Sequence, residues 1–174
     1  GRLVPIAVCN PAAPGAAERL RPLLEEKGFR GVLLFPAMHH YHLSDEAVRP
    51  VLDLLEEHEA IAYVHCGILV IKLRDLLGLP RAYDLRYANP LEVIPAAGAH
   101  PGLTFCIPHF GAGFFRETLI AGAQCSNIIT DTSSTNGWVR TQPDHPSLTS
   151  VLERTLDVFG VGRVAFGTDS NVFP

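Results

Sequence analysis

Short, continuously apolar runs alternate along the chain with longer amphipathic segments. Residues 4–9 (VPIAVC) predict a first strand, stopped by the turn signal Asn10-Pro11. Residues 16–27 predict a helix that ends at Gly28, a residue suited to a C-terminal cap. Residues 31–35 (GVLLF) form a second strand, closed by Pro36. Ser44 is placed to cap a helix over 45–59, with Val48, Val51, Leu52 and Leu55 on one face. Residues 61–65 (IAYVH) are a third strand, and Asn89-Pro90 opens a helix running to about Ala99. Residues 103–108 are a fourth strand followed by His109, residues 114–123 a helix, and residues 127–131 (NIITD) a fifth strand. A helix over 147–159 leads into a sixth strand, 163–166 (RVAF), which ends in Gly167-Thr168-Asp169. The segment 70–86 reads as a helix or as an inserted loop over the site, and 132–146 as a polar, proline-containing loop.

Six strands with helices between most of them define an α/β chain. The strands are apolar throughout rather than alternating, the pattern of a parallel sheet buried on both faces. Two architectures fit, a doubly wound open sheet and a (βα)8 barrel. No GxGxxG follows a strand, and Gly111-Ala112-Gly113 is a poor substitute, so a dinucleotide-binding sheet has weak support.

With 174 residues, 47% of them hydrophobic and 18% charged, the chain has material for one real core. The net charge of −4 and the lack of a Lys/Arg run argue against nucleic-acid binding and against an anionic membrane surface as partner. No apolar stretch approaches the roughly 20 residues of a membrane span, and the N-terminus lacks the layout of a secretory signal. Cys9, Cys66, Cys106 and Cys125 are scattered with no CxxC pair, and read as reduced thiols of a cytoplasmic protein.

Candidate chemistry sits where the strands end. His65 closes IAYVH, His109 follows TFCIP and Asp169 follows VAFGT. Parallel strands present their C-terminal ends on one face, where ligands bind. Two imidazoles and a carboxylate there make a first shell for a divalent ion such as zinc, which would activate water. The bland alternative is a polar residue at a strand end, or an Asp capping the next helix. Cys66 neighbours His65 and so faces the other way, as packing. His40-Tyr41-His42 has HxH spacing but lies in a loop, and reads as a loop near the mouth. His58 sits at a helix end, where an imidazolium suits the dipole, and His100 and His145 adjoin prolines in loops. The hydroxyls of Asp131-Thr132-Ser133-Ser134 either hold substrate and orient a ligand, or bond back to the backbone of a turn. Trp138 and Arg116 read first as an exposed aromatic and a solvated charge, with substrate contact the alternative. There is no GxSxG elbow and no P-loop, and nothing positive favours a Cys66–His109 nucleophile pair.

The stretches GFRGVLLFP, IAYVHCG, NPLEVIPAAGAHPGLTFCIPHFGAG, NIITDTSS and RVAFGTDS run in order along nearly the whole chain. In that series the chain resembles the amidohydrolase superfamily, in the branch of aminocarboxymuconate-semialdehyde decarboxylase, related aromatic-acid decarboxylases and lactone hydrolases. The resemblance implies a (βα)8 TIM barrel with a mononuclear metal, usually zinc. His65 then looks like the metal-ligating histidine of the fifth barrel strand. His109 looks like that of the sixth, an acid/base or a ligand, and Asp169 like the aspartate of the eighth, a ligand that also handles the proton of the nucleophilic water. The six apolar runs become barrel strands three through eight. The family's HxH pair on the first strand does not appear, because His40-Tyr41-His42 lies one helix before the fifth strand. The second strand and the final helix are likewise expected outside residues 1–174, against the roughly 250 residues of a full barrel. Such a portion would have open edges prone to association.

The expectation is thus a single incomplete barrel domain over 1–174, from a metal-dependent hydrolase or non-oxidative decarboxylase. Its partner would be a small carboxylated cyclic or aromatic substrate. Dimers are common among proteins of this resemblance, so a homodimer is one expected assembly. The rival expectations are a degenerate barrel without metal and without activity, and a doubly wound ligand-binding domain.

Overall fold

The computed structural model describes residues 3–134 and 136–169. Six strands, β1 (Ala7–Cys9), β2 (Gly31–Leu34), β3 (Ile61–Val64), β4 (Thr104–Ile107), β5 (Ile128–Asp131) and β6 (Val164–Ala165), form one sheet in the order β1-β2-β3-β4-β5-β6. Every neighbouring pair is parallel. A doubly wound sheet reverses its strand order at a switch point. This sheet never does, so its winding is that of a barrel arc, and the doubly wound reading is excluded.

Among the described residues seven α-helices connect and flank the strands: α1 (Ala16–Glu25), α2 (Pro36–His39), α3 (Arg49–Glu57), α4 (Lys72–Leu76), α5 (Val93–Ala99), α6 (Phe115–Gln124) and α7 (Leu148–Phe159). Local chemistry sets their ends. Ser147 caps α7 by accepting the Ser150 N–H at 3.1 Å, and Gly160 with φ 71° ends it. Asn89 accepts the Leu91 N–H at 3.0 Å and Pro90 follows, opening a 3-10 turn that runs into α5. The expected helix over 45–59 starts later, at Arg49. Asp45 instead accepts the His42 N–H at 2.9 Å and closes a turn, and Pro50 lies in the first helical turn, where its missing N–H costs nothing. Residues 70–86 hold the short α4 and the start of a 3-10 turn over Leu85–Ala88, and α4 buries no side chain.

The period of two along each strand divides the sheet into unlike faces. Val32, Leu34, Ala62, Val64, Phe105, Ile107 and Ile128 are buried against Leu20, Leu24, Val51, Leu55, Val93 and Phe159 of the helices. On the other face, Leu33, Tyr63, Cys106 and Ile129 follow one another in register across β2 to β5. Of these only Cys106 is fully buried, and Val8 on β1 is 68% exposed. Burial on both faces, expected from the apolar runs, therefore holds for the helix side alone. Among the described residues the inner face of the arc lacks a full cover. No helix of the described residues is long and apolar enough to cross a membrane.

Candidate active site at the strand ends

The inner face leads directly to the site. His65 follows β3 in the same parity as Tyr63, and Asp131 ends β5 in the same parity as Ile129. The His65 N–H continues the ladder to the Leu34 carbonyl at 2.9 Å, so its backbone is held like a strand residue. Its ring stacks on Phe35 with centroids 5.4 Å apart, and meets the edge of the His109 ring, also at 5.4 Å. The side chain is 8% exposed and its Nδ1 is buried without a hydrogen-bond partner. Burial, with His109 alongside, lowers the imidazole to about 4. His65 is thus neutral at physiological pH, the form in which imidazole ligates a metal.

His109 is positioned by its backbone and by β5. It has φ 59°, and Phe110 (53°), Gly111 (79°), Ala112 (42°) and Gly113 (108°) continue in the left-handed region. Non-glycine residues pay for that conformation, and Asp131 helps hold it by accepting the His109 N–H at 2.9 Å. Asp131 Oδ1 also accepts the Ser133 N–H at 3.0 Å and the Ser133 hydroxyl. Ser133 Oγ in turn lies 2.7 Å from His109 Nδ1. Thr132 ties the same turn to the end of β6, its Oγ1 donating to the Gly167 carbonyl and accepting the Gly167 N–H, both at 3.2 Å. Within the Asp131-Thr132-Ser133-Ser134 stretch the turn reading holds, with side chains bonding to backbone, and Ser133 in addition bonds a histidine.

Gly67, just past His65, locks the loops after β3 and β4 together. It has φ 76°, and a Cβ there would lie 2.2 Å from the Gly111 carbonyl oxygen and 2.3 Å from that of Ala112. The Ile68 N–H donates to the Ala112 carbonyl at 2.8 Å and the Gly67 N–H to that of Ala88 at 3.0 Å.

The structure brings His65 and His109 together. Asp169 follows β6 at φ 48° and is exposed. Among the described residues, no three His, Cys, Asp or Glu side chains gather into a group that could hold an ion. Cys66 is buried and burial pushes its thiol up, so it stays protonated, as packing requires and as a thiolate nucleophile would not. Burial likewise raises Cys106, and Cys9, Cys66, Cys106 and Cys125 are all free thiols.

The HxH of the loop is engaged elsewhere. His42 Nδ1 pairs with Glu92 at 3.0 Å and packs on Tyr87, while His40 Nε2 bonds the Ala82 carbonyl at 2.8 Å. His58 stands at the end of α3, 3.7 Å from Glu25, and His100 is a buried clamp between the Ala96 carbonyl and Asp53, each at 3.0 Å. Arg116 is exposed, as expected. Trp138 is not. It is 4% exposed and packs with Phe110, Phe115 and Val151 in a second cluster beneath the loop after β5. Its Nε1 donates to Asn136 Oδ1 at 3.2 Å, the partner that lets an indole be buried. Sequence reasoning gave Asp131 itself no role, and the one available signal was its place at a strand end beside two hydroxyl residues.

Comparison with known proteins agrees with this fold. A family model described as Amidohydrolase matches residues 1–174. No curated protein matches. An uncharacterised TIM-barrel protein from Bordetella bronchiseptica superposes with a TM-score of 0.70 at 20% identity, covering 95% of this chain and 53% of its own. A 2,6-dihydroxybenzoate decarboxylase from Rhizobium gives 0.65 at 17% identity, over 97% of this chain and 60% of its own. A 5-carboxyvanillate decarboxylase from Novosphingobium aromaticivorans, solved with manganese and 4-hydroxy-3-methoxy-5-nitrobenzoic acid, gives 0.63 at 16%, over 96% and 54%. The chain spans a little over half the length of these solved proteins, and the likeness is one of fold.

Proposed function

Since the chain belongs to the amidohydrolase family, we propose that it forms the catalytic end of a metal-dependent enzyme acting on a small carboxylated aromatic or cyclic compound, by hydrolysis or by non-oxidative decarboxylation. The observation that carries the reading is the pair of imidazoles at the ends of β3 and β4, one neutral and buried with an unpartnered nitrogen, the other held from β5. The decarboxylases of similar fold act on hydroxybenzoates, which supports the substrate class and favours carboxy-lyase chemistry.

The residues fit a divalent ion in part. An orphaned, buried Nδ1 on a neutral His65 is what a ligand looks like without its ion. With His109 read as the acid, Asp169 would be the further ligand, and among the described residues no three His, Cys, Asp or Glu side chains gather into a group that could hold an ion. Imidazole with carboxylate suits zinc, and the manganese of the Novosphingobium protein supports a divalent ion in general. Such an ion, when bound, polarises a substrate oxygen and acidifies water.

The chain's own residues account for the proton handling. Decarboxylation leaves a carbon that must be protonated, and hydrolysis leaves a heteroatom with the same need. Either demands an acid beside the reacting atom, and His109 is the side chain built for it, its ring fixed through Nδ1. Asp169 offers a carboxylate to take the proton of an attacking water. Phe35 and Tyr63 give the inner wall an aromatic surface for a ring, and burial keeps the Tyr63 phenol protonated. The free thiols support a reducing compartment such as the cytoplasm.

The test is turnover of 2,6-dihydroxybenzoate and 5-carboxyvanillate by the full-length protein loaded with manganese or zinc. His109→Asn is expected to lower kcat by about 10²–10⁴-fold, and undiminished turnover would remove His109 from the chemistry. Metal content measured on the same samples should be stoichiometric and fall in His65→Ala. The rival, a scaffold without metal, draws on the lack of a three-donor cluster among the described residues. Folded full-length protein that takes up neither ion would establish it.

A further inference from the structure

We propose that Asp131 and Ser133 form a positioning relay that fixes the tautomer of His109, protonating Nδ1 and leaving the lone pair on Nε2. The inference rests on the reading of His109 as the acid/base and adds two residues to it.

The argument is one of counting protons. Asp131 Oδ1 receives two backbone N–H groups, from His109 and Ser133, and these can only donate. Oδ1 is therefore an acceptor. The Ser133 hydroxyl also faces Oδ1, and a contact between two oxygens needs a hydrogen, which only the serine can supply. That uses the single proton of Ser133. Its other contact, at 2.7 Å to His109 Nδ1, must then be one in which Oγ accepts and Nδ1–H donates. The opposite tautomer would set two lone pairs against each other in a turn that buries both Asp131 and Ser133. A neutral His109 with Nδ1–H has its basic nitrogen at Nε2, on the ring edge away from β5. A proton taken up at Nε2 gives an imidazolium that keeps its Nδ1–H on Ser133. When Nε2 releases that proton to the substrate, the original tautomer returns, so proton and charge balance over the cycle. Gly167, beyond β6, leaves Ser133 its space, since a Cβ there would come within 2.9 Å of Ser133 Cβ. The hydroxyl is held between Asp131 at the end of β5 and His109 after β4.

The experiment is a long-range ¹H–¹⁵N correlation spectrum of full-length protein labelled at histidine, at mildly alkaline pH where imidazoles are neutral. His109→Gln identifies the His109 signals. The wild type is expected to show a protonated Nδ1 and a lone-pair Nε2 at His109. Ser133→Ala is expected to move it toward the Nε2–H form that free histidine favours, and to cut kcat about 10–100-fold with KM changed by less than about twofold. A wild-type His109 protonated at Nε2 would overturn the relay, and that spectrum needs no variant to fold. So would a Ser133→Ala spectrum that keeps Nδ1–H. The two readings fail separately. His109→Asn with full activity removes the acid/base role while the tautomer stands, and an inactive His109→Asn beside the wrong tautomer does the reverse.

Discussion

A buried neutral histidine leaves a signature in stability as well as in ligation. His65 is lowered to about 4 in the folded protein, chiefly by burial, against 6.5 for the free side chain. Above pH 6.5 neither folded nor unfolded chains carry this proton, and stability is unaffected. Between 6.5 and about 4 the unfolded state binds it and the folded state does not, so stability falls as pH falls, by about 3 kcal/mol in all. His65→Phe, which keeps a ring beside Phe35, should lose less stability to acid than the wild type by that amount. Urea unfolding of metal-free protein at neutral pH and near pH 4.5 reads the difference, and equal losses would show that His65 is not buried neutral. His65 and His109 were legible as strand-end residues, because strand ends are visible as the stops of apolar runs. Ser133 was visible only as one hydroxyl among several. Its bond to Nδ1 depends on how two loops, 24 residues apart in the chain, come to rest on each other.

At the level of elements, the chain shows where a backbone must be glycine for space and where only for conformation. Gly67 and Gly28 share a left-handed φ, 76° and 72°. A Cβ at Gly28 meets nothing within 4 Å, whereas at Gly67 it meets two carbonyl oxygens of the backbone after β4. Gly28→Ala should cost about 1 kcal/mol, the conformational penalty alone. Gly67→Ala should cost about 3 kcal/mol or more, because backbone cannot step aside as a side chain does. Denaturant midpoints decide it, and equal costs would mean that the two loops are not in contact. The sequence announced all six strands and the helices over residues 114–123 and 147–159, whose periodicity, with the Ser147 cap of the second, is local. It misplaced the start of α3, because Asp45 closes a turn where Ser44 was expected to cap a helix. It also exposed Trp138, which periodicity in a loop cannot locate. Both errors arise where side chains choose partners rather than where they alternate.

For the molecule as a whole, the unlike faces of the sheet set its behaviour in solution. The helix face is sealed, while the inner face and the β1 side present apolar groups, with Leu3 91%, Val8 68% and, beyond β6, Phe166 88% exposed. Both terminal strands are short, three residues in β1 and two in β6, which limits edge-to-edge pairing. Association driven by the apolar surface is not limited in that way. The 174-residue chain produced by itself is therefore expected to self-associate as its concentration rises, through contacts that salt does not weaken. Val8→Lys with Phe166→Lys should shift it toward the monomer in sedimentation velocity while leaving its helical circular dichroism intact. Neither residue belongs to the packed helix layer, so a loss of helix in this variant would assign them a structural role instead. A wild-type chain that stays monomeric across the accessible concentrations would mean that the inner face is covered from within.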